Sequence, residues 1–210
     1  MKIVDTDSIY KPFVSEEYLA FAKSLSLTDK LPRAGISITN LRKLAKDIHP
    51  DDIDIKYHED VMLKGFAIAN MKVPFVDKAK ELDKLLPYLS SWDHTDTIQS
   101  SFKPNRSSRD EMFAYFSSLL DHEELYSRRL GIIWLMSNRN KTDWNKSLEL
   151  ILKADSDEYY ISMAVAWALS MFYFDDKSIL PRFDEVSSQT KKRALQKIRD
   201  SRKYQGENLP

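Results

Sequence analysis

The stretch Ser108-Arg109-Asp110-Glu111-Met112-Phe113-Ala114-Tyr115-Phe116-Ser117-Ser118-Leu119-Leu120 sets the reading of the whole chain. Its apolar residues Met112, Phe113, Phe116, Leu119 and Leu120 recur at helical spacing. Ser108 and Glu111 stand ahead of them in the S-x-x-E pattern of a capping box. In that motif hydroxyl and carboxylate satisfy each other's backbone N–H.

The same pattern extends outward in both directions. Ser15 precedes Tyr18, Leu19, Ala22 and Leu25, which predicts a capped helix over 16–27. Thr39 is placed to cap a helix carrying Leu41, Leu44, Ala45 and Ile48, stopped by Pro50. Residues 51–54 read as an acidic turn. Helices follow near 57–71 and 75–86. Pro74 opens the second, where a missing N–H costs nothing, and Pro87 closes it. Residues 1–14 read poorly as helix, and 88–103 is less regular. Beyond the opening stretch, helices are expected near 123–138, 143–154, 157–174 and 189–203. Nine or ten helices in antiparallel pairs, with no convincing strand, predict an all-α, HEAT-like helical solenoid with a concave groove. A compact, irregular helical bundle is the alternative. One domain over 1–210 is expected, with a short N-terminal helical region to 34, repeats over 35–203 and a tail from 204.

Composition narrows the function classes. The chain has 210 residues, and 42% hydrophobic against 30% charged residues suits a folded core rather than disorder. It has no cysteine, which removes disulfide frameworks, thiol nucleophiles and thiolate zinc sites. Four glycines leave no room for a glycine-rich phosphate loop. The histidines His49, His58, His94 and His122 show no metal-ligand spacing. No apolar run approaches the roughly 20 residues of a membrane span, and the first ten residues lack a signal pattern. A soluble, cytoplasmic monomer is the expectation.

The most informative segment is Ser91-Trp92-Asp93-His94-Thr95-Asp96. Trp92 and Asp96 are four apart, so on a helix they share one face. Arg129 and Trp167 follow at intervals of 37 and 38 residues, from 92 to 129 and from 129 to 167. A two-helix repeat has a period of about 40 residues, so the three fall at nearly the same phase of successive repeats. Residues of equal phase line up along one side of a solenoid. Two indoles, a guanidinium and a carboxylate in a row suit a sugar-phosphate strand, with the indoles on sugar or base and the arginine on phosphate. Taken singly, each has a blander reading. A tryptophan in a helix is more often packing than ligand contact. Arg129 answers a carboxylate such as Glu123, Asp96 is an N-cap, and His94 is a surface histidine. The shared phase favours the functional reading.

These residues resemble a known family, the AlkD-type HEAT-like-repeat proteins of DNA alkylation repair. Gly35-Ile36 followed by Leu41-Arg42-Lys43-Leu44-Ala45-Lys46 resembles its opening helix. Trp92-Asp93-His94-Thr95-Asp96 resembles its W-x-x-x-D run, and Arg129 matches an arginine of the next repeat. Glu158-Tyr159-Tyr160-Ile161-Ser162-Met163-Ala164-Val165-Ala166-Trp167 resembles another family run. Ala194-Leu195-Gln196-Lys197-Ile198-Arg199-Asp200-Ser201 resembles the closing helix. The likeness covers roughly residues 35–203. It implies a monofunctional glycosylase that releases cationic alkylpurines, such as 3-methyladenine and 7-methylguanine, from double-stranded DNA without metal or cofactor. Asp96 is then the catalytic carboxylate, with Trp92 and Trp167 against the substrate and Arg129 toward phosphate. A base with a fixed positive charge is already a good leaving group. The carboxylate stabilises oxocarbenium character on the sugar and orients water.

The chain departs from the family pattern in three ways. Only 34 residues precede Gly35, where the family's glycosylases carry further N-terminal helices. Ser91, His94 and Thr95 differ from the residues common among relatives. The net charge is zero, with 32 Lys and Arg against 32 Asp and Glu. Basic charge gathers in 187–203, where Lys191, Lys192, Arg193, Lys197 and Arg199 are candidate contacts to the DNA backbone, joined by Arg202 and Lys203. Acid gathers at Asp51, Asp52, Asp54, Glu59 and Asp60. The basic run also reads as a plain solvated helix face. A non-catalytic relative that binds DNA weakly, or a helical-repeat interaction module, are the other readings.

Overall fold

The computed structural model describes residues 3–25, 30–206 and 209. Among these the chain is all-α. Eleven α-helices run in order: α1 Thr6–Tyr10, α2 Glu16–Ser24, α3 Ile38–Leu44, α4 His58–Asn70, α5 Phe75–Leu85, α6 Trp92–Ile98, α7 Arg109–Ser118, α8 Leu125–Asn138, α9 Trp144–Lys153, α10 Tyr159–Asp175 and α11 Ser188–Arg199. Short 3₁₀ turns lie between them, and the described residues contain no strand. None of their helices is long and apolar enough to cross a membrane. The chain divides into two compact units, Met1–Lys103 and Pro104–Pro210.

Local chemistry starts several helices. The Ser15, Ser37, Asp143 and Ser187 side chains accept the backbone N–H of Tyr18, Asn40, Lys146 and Thr190. The cap of α3 is therefore Ser37 rather than Thr39. Ser108 holds the N-cap position of α7 but makes no capping bond, so the expected capping box does not form. Its hydroxyl turns instead to the Asn105 side chain at 3.1 Å. Asn105 has already organised that turn by accepting the N–H groups of Ser107 and Ser108. The N-terminal segment is more helical than its sequence suggests, with α1 followed by a 3₁₀ turn over Lys11–Phe13. The irregular stretch 88–103 contains α6. Helix α5 ends at Leu85, just ahead of Pro87, which lies inside a 3₁₀ turn over Leu86–Tyr88. The helix expected over 16–27 stops at Ser24, and positions 26 and 27 lie outside the described residues.

In the first unit α4 is the centre, packed against α3, α5 and α6. Its core includes Leu41, Met62, Leu63, Phe66 and Ala67, with Tyr10 and Ile36. Gly65 lets α6 approach closely, because a Cβ there would meet Ile98 Cγ1 at 2.7 Å. In the second unit α8 packs against α7, α9 and α10, and α10 against α8, α9 and α11. Helix α10 is apolar almost all round, burying Ile161, Ala164, Val165, Ala166, Ala168, Leu169 and Phe172. Such a helix belongs in a core. Trp134 is fully buried and stacks on Phe116 with ring centroids 4.4 Å apart.

Candidate functional site

Helix α6 supplies the first two candidate residues. Trp92 is its first residue and Asp96 lies one turn on. Both are half-buried, whereas His94, Thr95 and Ile98 are buried. The four-residue spacing thus leaves indole and carboxylate on the more open side of the helix. Thr95 Oγ1 lies 2.8 Å from the Trp92 carbonyl and 3.0 Å from Asp96 Oδ1, so one hydroxyl links the two residues. Asp96 is mid-helix. It is not an N-cap, since Ser91 holds that position.

A polar cluster lies behind this turn. Arg33 Nη2 donates to Asp93 Oδ2 at 3.1 Å. His58 Nε2 lies 3.0 Å from both the same carboxylate oxygen and Arg33 Nη2. The Ser91 hydroxyl donates to Asp93 Oδ1. The side chains of Arg33 and Asp93 are only 4% and 13% exposed, and His58 is fully buried. Burial alone would raise the Asp93 carboxyl. The hydrogen bond and charge of His58, with the Ser91 hydroxyl, outweigh it and hold Asp93 well below the usual carboxylate range. His94 is also fully buried, which corrects the surface reading. Its ring lies 3.9 Å from that of His58. Its Nε2–H donates to the His58 carbonyl at 3.0 Å and its Nδ1 accepts from the Ser90 N–H at 3.3 Å. Burial, and the nearby positive charge of His58, push its pKa down to about 3.

His58, Asp93 and His94 bring their ligand-type atoms within 4.8 Å of one another. The donor set still does not suit a metal. Both His94 nitrogens are engaged with backbone groups, and a fixed guanidinium already sits against His58 and Asp93. This cluster is organised by an arginine.

The two residues after His58 are buried as well. Glu59 accepts the backbone N–H of Ala34 and Gly35 at 2.9 Å and of Ile36 at 3.4 Å. Gly35 has φ +79°, a left-handed conformation that favours glycine. Asp60 accepts the Tyr10 hydroxyl at 2.6 Å and the N–H groups of Lys56 and Tyr57. Burial raises both the Tyr10 and the Asp60 pKa, and Asp60 pushes Tyr10 up further. The acidic residues gathered in this stretch therefore divide. Glu59 and Asp60 are interior, while Asp51 is exposed. Sequence reasoning passed over Arg33, His58 and Asp93. The available signal was an acid next to Trp92 and the run His58-Glu59-Asp60 at a helix start.

The second unit holds the other candidates. Arg129 is 6% exposed and donates Nη1–H to the Tyr160 carbonyl at 2.7 Å, joining α8 to the start of α10. Trp167 is half-buried and lines a hollow of about 250 Å³ with Ser170, Met171, Phe174, Lys197 and Asp200. Lys197 and Trp167 are thus brought together. A larger hollow, about 670 Å³, lies between α7 and α9 and contains none of the predicted residues. On α11, Lys191 pairs with Asp184 at 2.5 Å. Arg193 donates to Ser162 Oγ at 2.6 Å, and its guanidinium lies 4.9 Å from the Tyr159 ring centroid. Lys192 and Arg199 are exposed.

A family model described as DNA alkylation repair enzyme matches residues 8–204. The chain therefore belongs to the DNA alkylation repair enzyme family. No curated protein matches it. No solved structure matches it either.

Proposed function

We propose that the protein is a monofunctional DNA glycosylase that hydrolyses the N-glycosidic bond of cationic alkylpurines in duplex DNA, acting as a monomer. The observation that carries this reading is the pairing of Trp92 with Asp96 on the open side of α6, in a member of this family. An alkylated purine leaves with its positive charge neutralised, so the enzyme needs no strong acid. Positive charge develops on the deoxyribose instead. Asp96 stabilises it and orients the attacking water, and Trp92 presents an apolar, cation-tolerant face to the sugar, while Trp167 offers a second indole to the DNA. Lys192, Lys197 and Arg199 serve the phosphates in a HEAT-like scaffold, whereas Arg129 is buried against the Tyr160 carbonyl and acts from within the fold. The test is release of 3-methyladenine and 7-methylguanine from methylated duplex DNA. Release by the native protein and its loss in Asp96→Asn support the reading.

A second reading is a non-catalytic relative with weak DNA binding. The pairing of Lys191 with Asp184 favours it by neutralising a cation on α11, and the engagement of Arg193 with Ser162 and Tyr159 favours it by tying a guanidinium into the fold. Binding of methylated duplex without base release identifies this case.

A further inference from the structure

We infer that Arg33, His58 and Asp93 are positioning residues that set the rotation of α6, and with it the placement of Trp92 and Asp96. This deepens the glycosylase reading and rests on it for its catalytic consequence only.

Helix α6 has seven residues, fewer than two turns. A helix this short does not hold itself in place. Its N-cap makes no side-chain capping bond, because the Ser91 hydroxyl is turned to Asp93. The first turn is held instead by tertiary contacts. Asp93, next to Trp92 and three residues before Asp96, is gripped by Arg33 and His58. His94 is fixed through the His58 carbonyl and ring. At the far end Ile98 fits the space left by Gly65.

The grip is itself supported. His58 and Glu59 both come from the first turn of α4. Glu59 binds the backbone of residues 34–36, immediately after Arg33. One turn of α4 therefore holds the aspartate of α6 with one side chain, His58, and the loop that follows Arg33 with the next, Glu59. Three segments distant in the chain are referenced to one point. Loss of the grip lets α6 turn about its axis, and both candidate side chains move together. Misplacement of a catalytic group by about 1 Å can cost about 100-fold in rate.

The experiment is fluorine NMR of the full chain labelled with 5-fluorotryptophan. It carries four resonances, from Trp92, Trp134, Trp144 and Trp167. Trp92→Phe assigns the first. Asp93→Asn and Arg33→Lys are then compared with the native protein. The expected result is a shift or broadening of the Trp92 resonance, with the three from the second unit unchanged. Arg33→Lys keeps the charge and loses the fork, so it reports even where Asp93→Asn fails to fold. An unmoved Trp92 resonance in a folded variant overturns the inference. Collapse of all four resonances in both variants also overturns it, since the residues are then merely structural. Where the native protein excises alkylpurines, kcat/KM in Arg33→Lys falls about 100-fold. Absence of excision by the native protein defeats the glycosylase reading and leaves the fluorine result standing.

Discussion

Asp93 Oδ2 and His58 Nε2 lie 3.0 Å apart inside the first unit, although the two residues are 35 positions apart in the chain. The pair sits with Arg33 largely out of solvent, and the His58 ring lies tilted against that of His94 with centroids 3.9 Å apart. Buried charge of this kind is tolerated only when paired, and breaking one partner is costly. The same cluster makes the unit sensitive to acid in a direction that follows from its protonation.

His94 titrates near 3 in the folded chain against an ordinary 6.5. Between those values the unfolded chain binds a proton that the folded chain does not. Its stabilising contribution is therefore complete above about pH 6.5 and declines as pH falls toward 3. The slope is about 1.4 kcal/mol per pH unit for one proton, giving a loss of about 2 kcal/mol from pH 7 to pH 5. Asp93, held low, acts in the same sense, with its contribution lost only in stronger acid. Urea unfolding at the two pH values measures this. His94→Gln lowers stability at pH 7 and flattens the pH dependence.

Glu59→Ala removes the acceptor for three backbone N–H groups in a residue that is 1% exposed. Leaving buried donors unsatisfied costs about 1–3 kcal/mol each, so a loss of at least about 3 kcal/mol is expected. Glu59→Gln keeps one acceptor oxygen and loses less. Equal stability of all three proteins in denaturant would contradict the assignment.

Gly65→Ala places a methyl against Ile98, with Cγ1 at 2.7 Å and Cδ1 at 2.9 Å. Overpacking of this size costs about 1–3 kcal/mol. Ile98→Ala empties the same space. The double variant is expected to be more stable than the sum of the single losses predicts, and a double-mutant cycle reads that coupling.

Asp96→Asn keeps the shape of the side chain and loses its charge. Excision of 7-methylguanine is expected to fall about 100-fold or more, the equivalent of about 3–4 kcal/mol of barrier. Stability changes by less than about 0.5 kcal/mol, because Asp96 sits on the open side of α6. Single-turnover release from methylated DNA, beside a thermal melt of both proteins, separates the two effects.

DNA binding through α11 is expected to be sequence-independent and steeply salt-dependent, weakening about 10-fold or more between about 50 and 200 mM salt. Lys192→Ala should lower the salt slope by about one. Arg193→Ala should also destabilise the fold, since Arg193 bonds Ser162 and covers Tyr159. Salt titrations with duplex DNA and denaturation of each variant check both statements.

Much of the fold was legible because helix formation is local. Apolar spacing located α4, α5 and α8 to α11 to within a few residues, and the Ser15 cap of α2 follows from one hydroxyl reaching one N–H. The errors fall where a side chain chose a partner outside its expected motif. Ser108 bonds Asn105 instead of capping α7, and the short α6 draws its support from distant residues. Within the candidate site, Trp92 and Asp96 were legible from their spacing. His94 was misread because a lone histidine carries no mark of burial.

The sequence by itself determined that the chain is helical, that Trp92 and Asp96 share one side of a helix, and which family it belongs to. Each depends on residue types at fixed short spacings or on runs matched along the chain. Only the tertiary structure decided that Arg33, His58 and Asp93 meet, and that Glu59, Asp60 and His94 are interior. A charged side chain looks the same in sequence whether it faces water or a buried partner. The difference is a desolvation cost offset by a partner tens of residues away, and that balance exists only once the chain has folded.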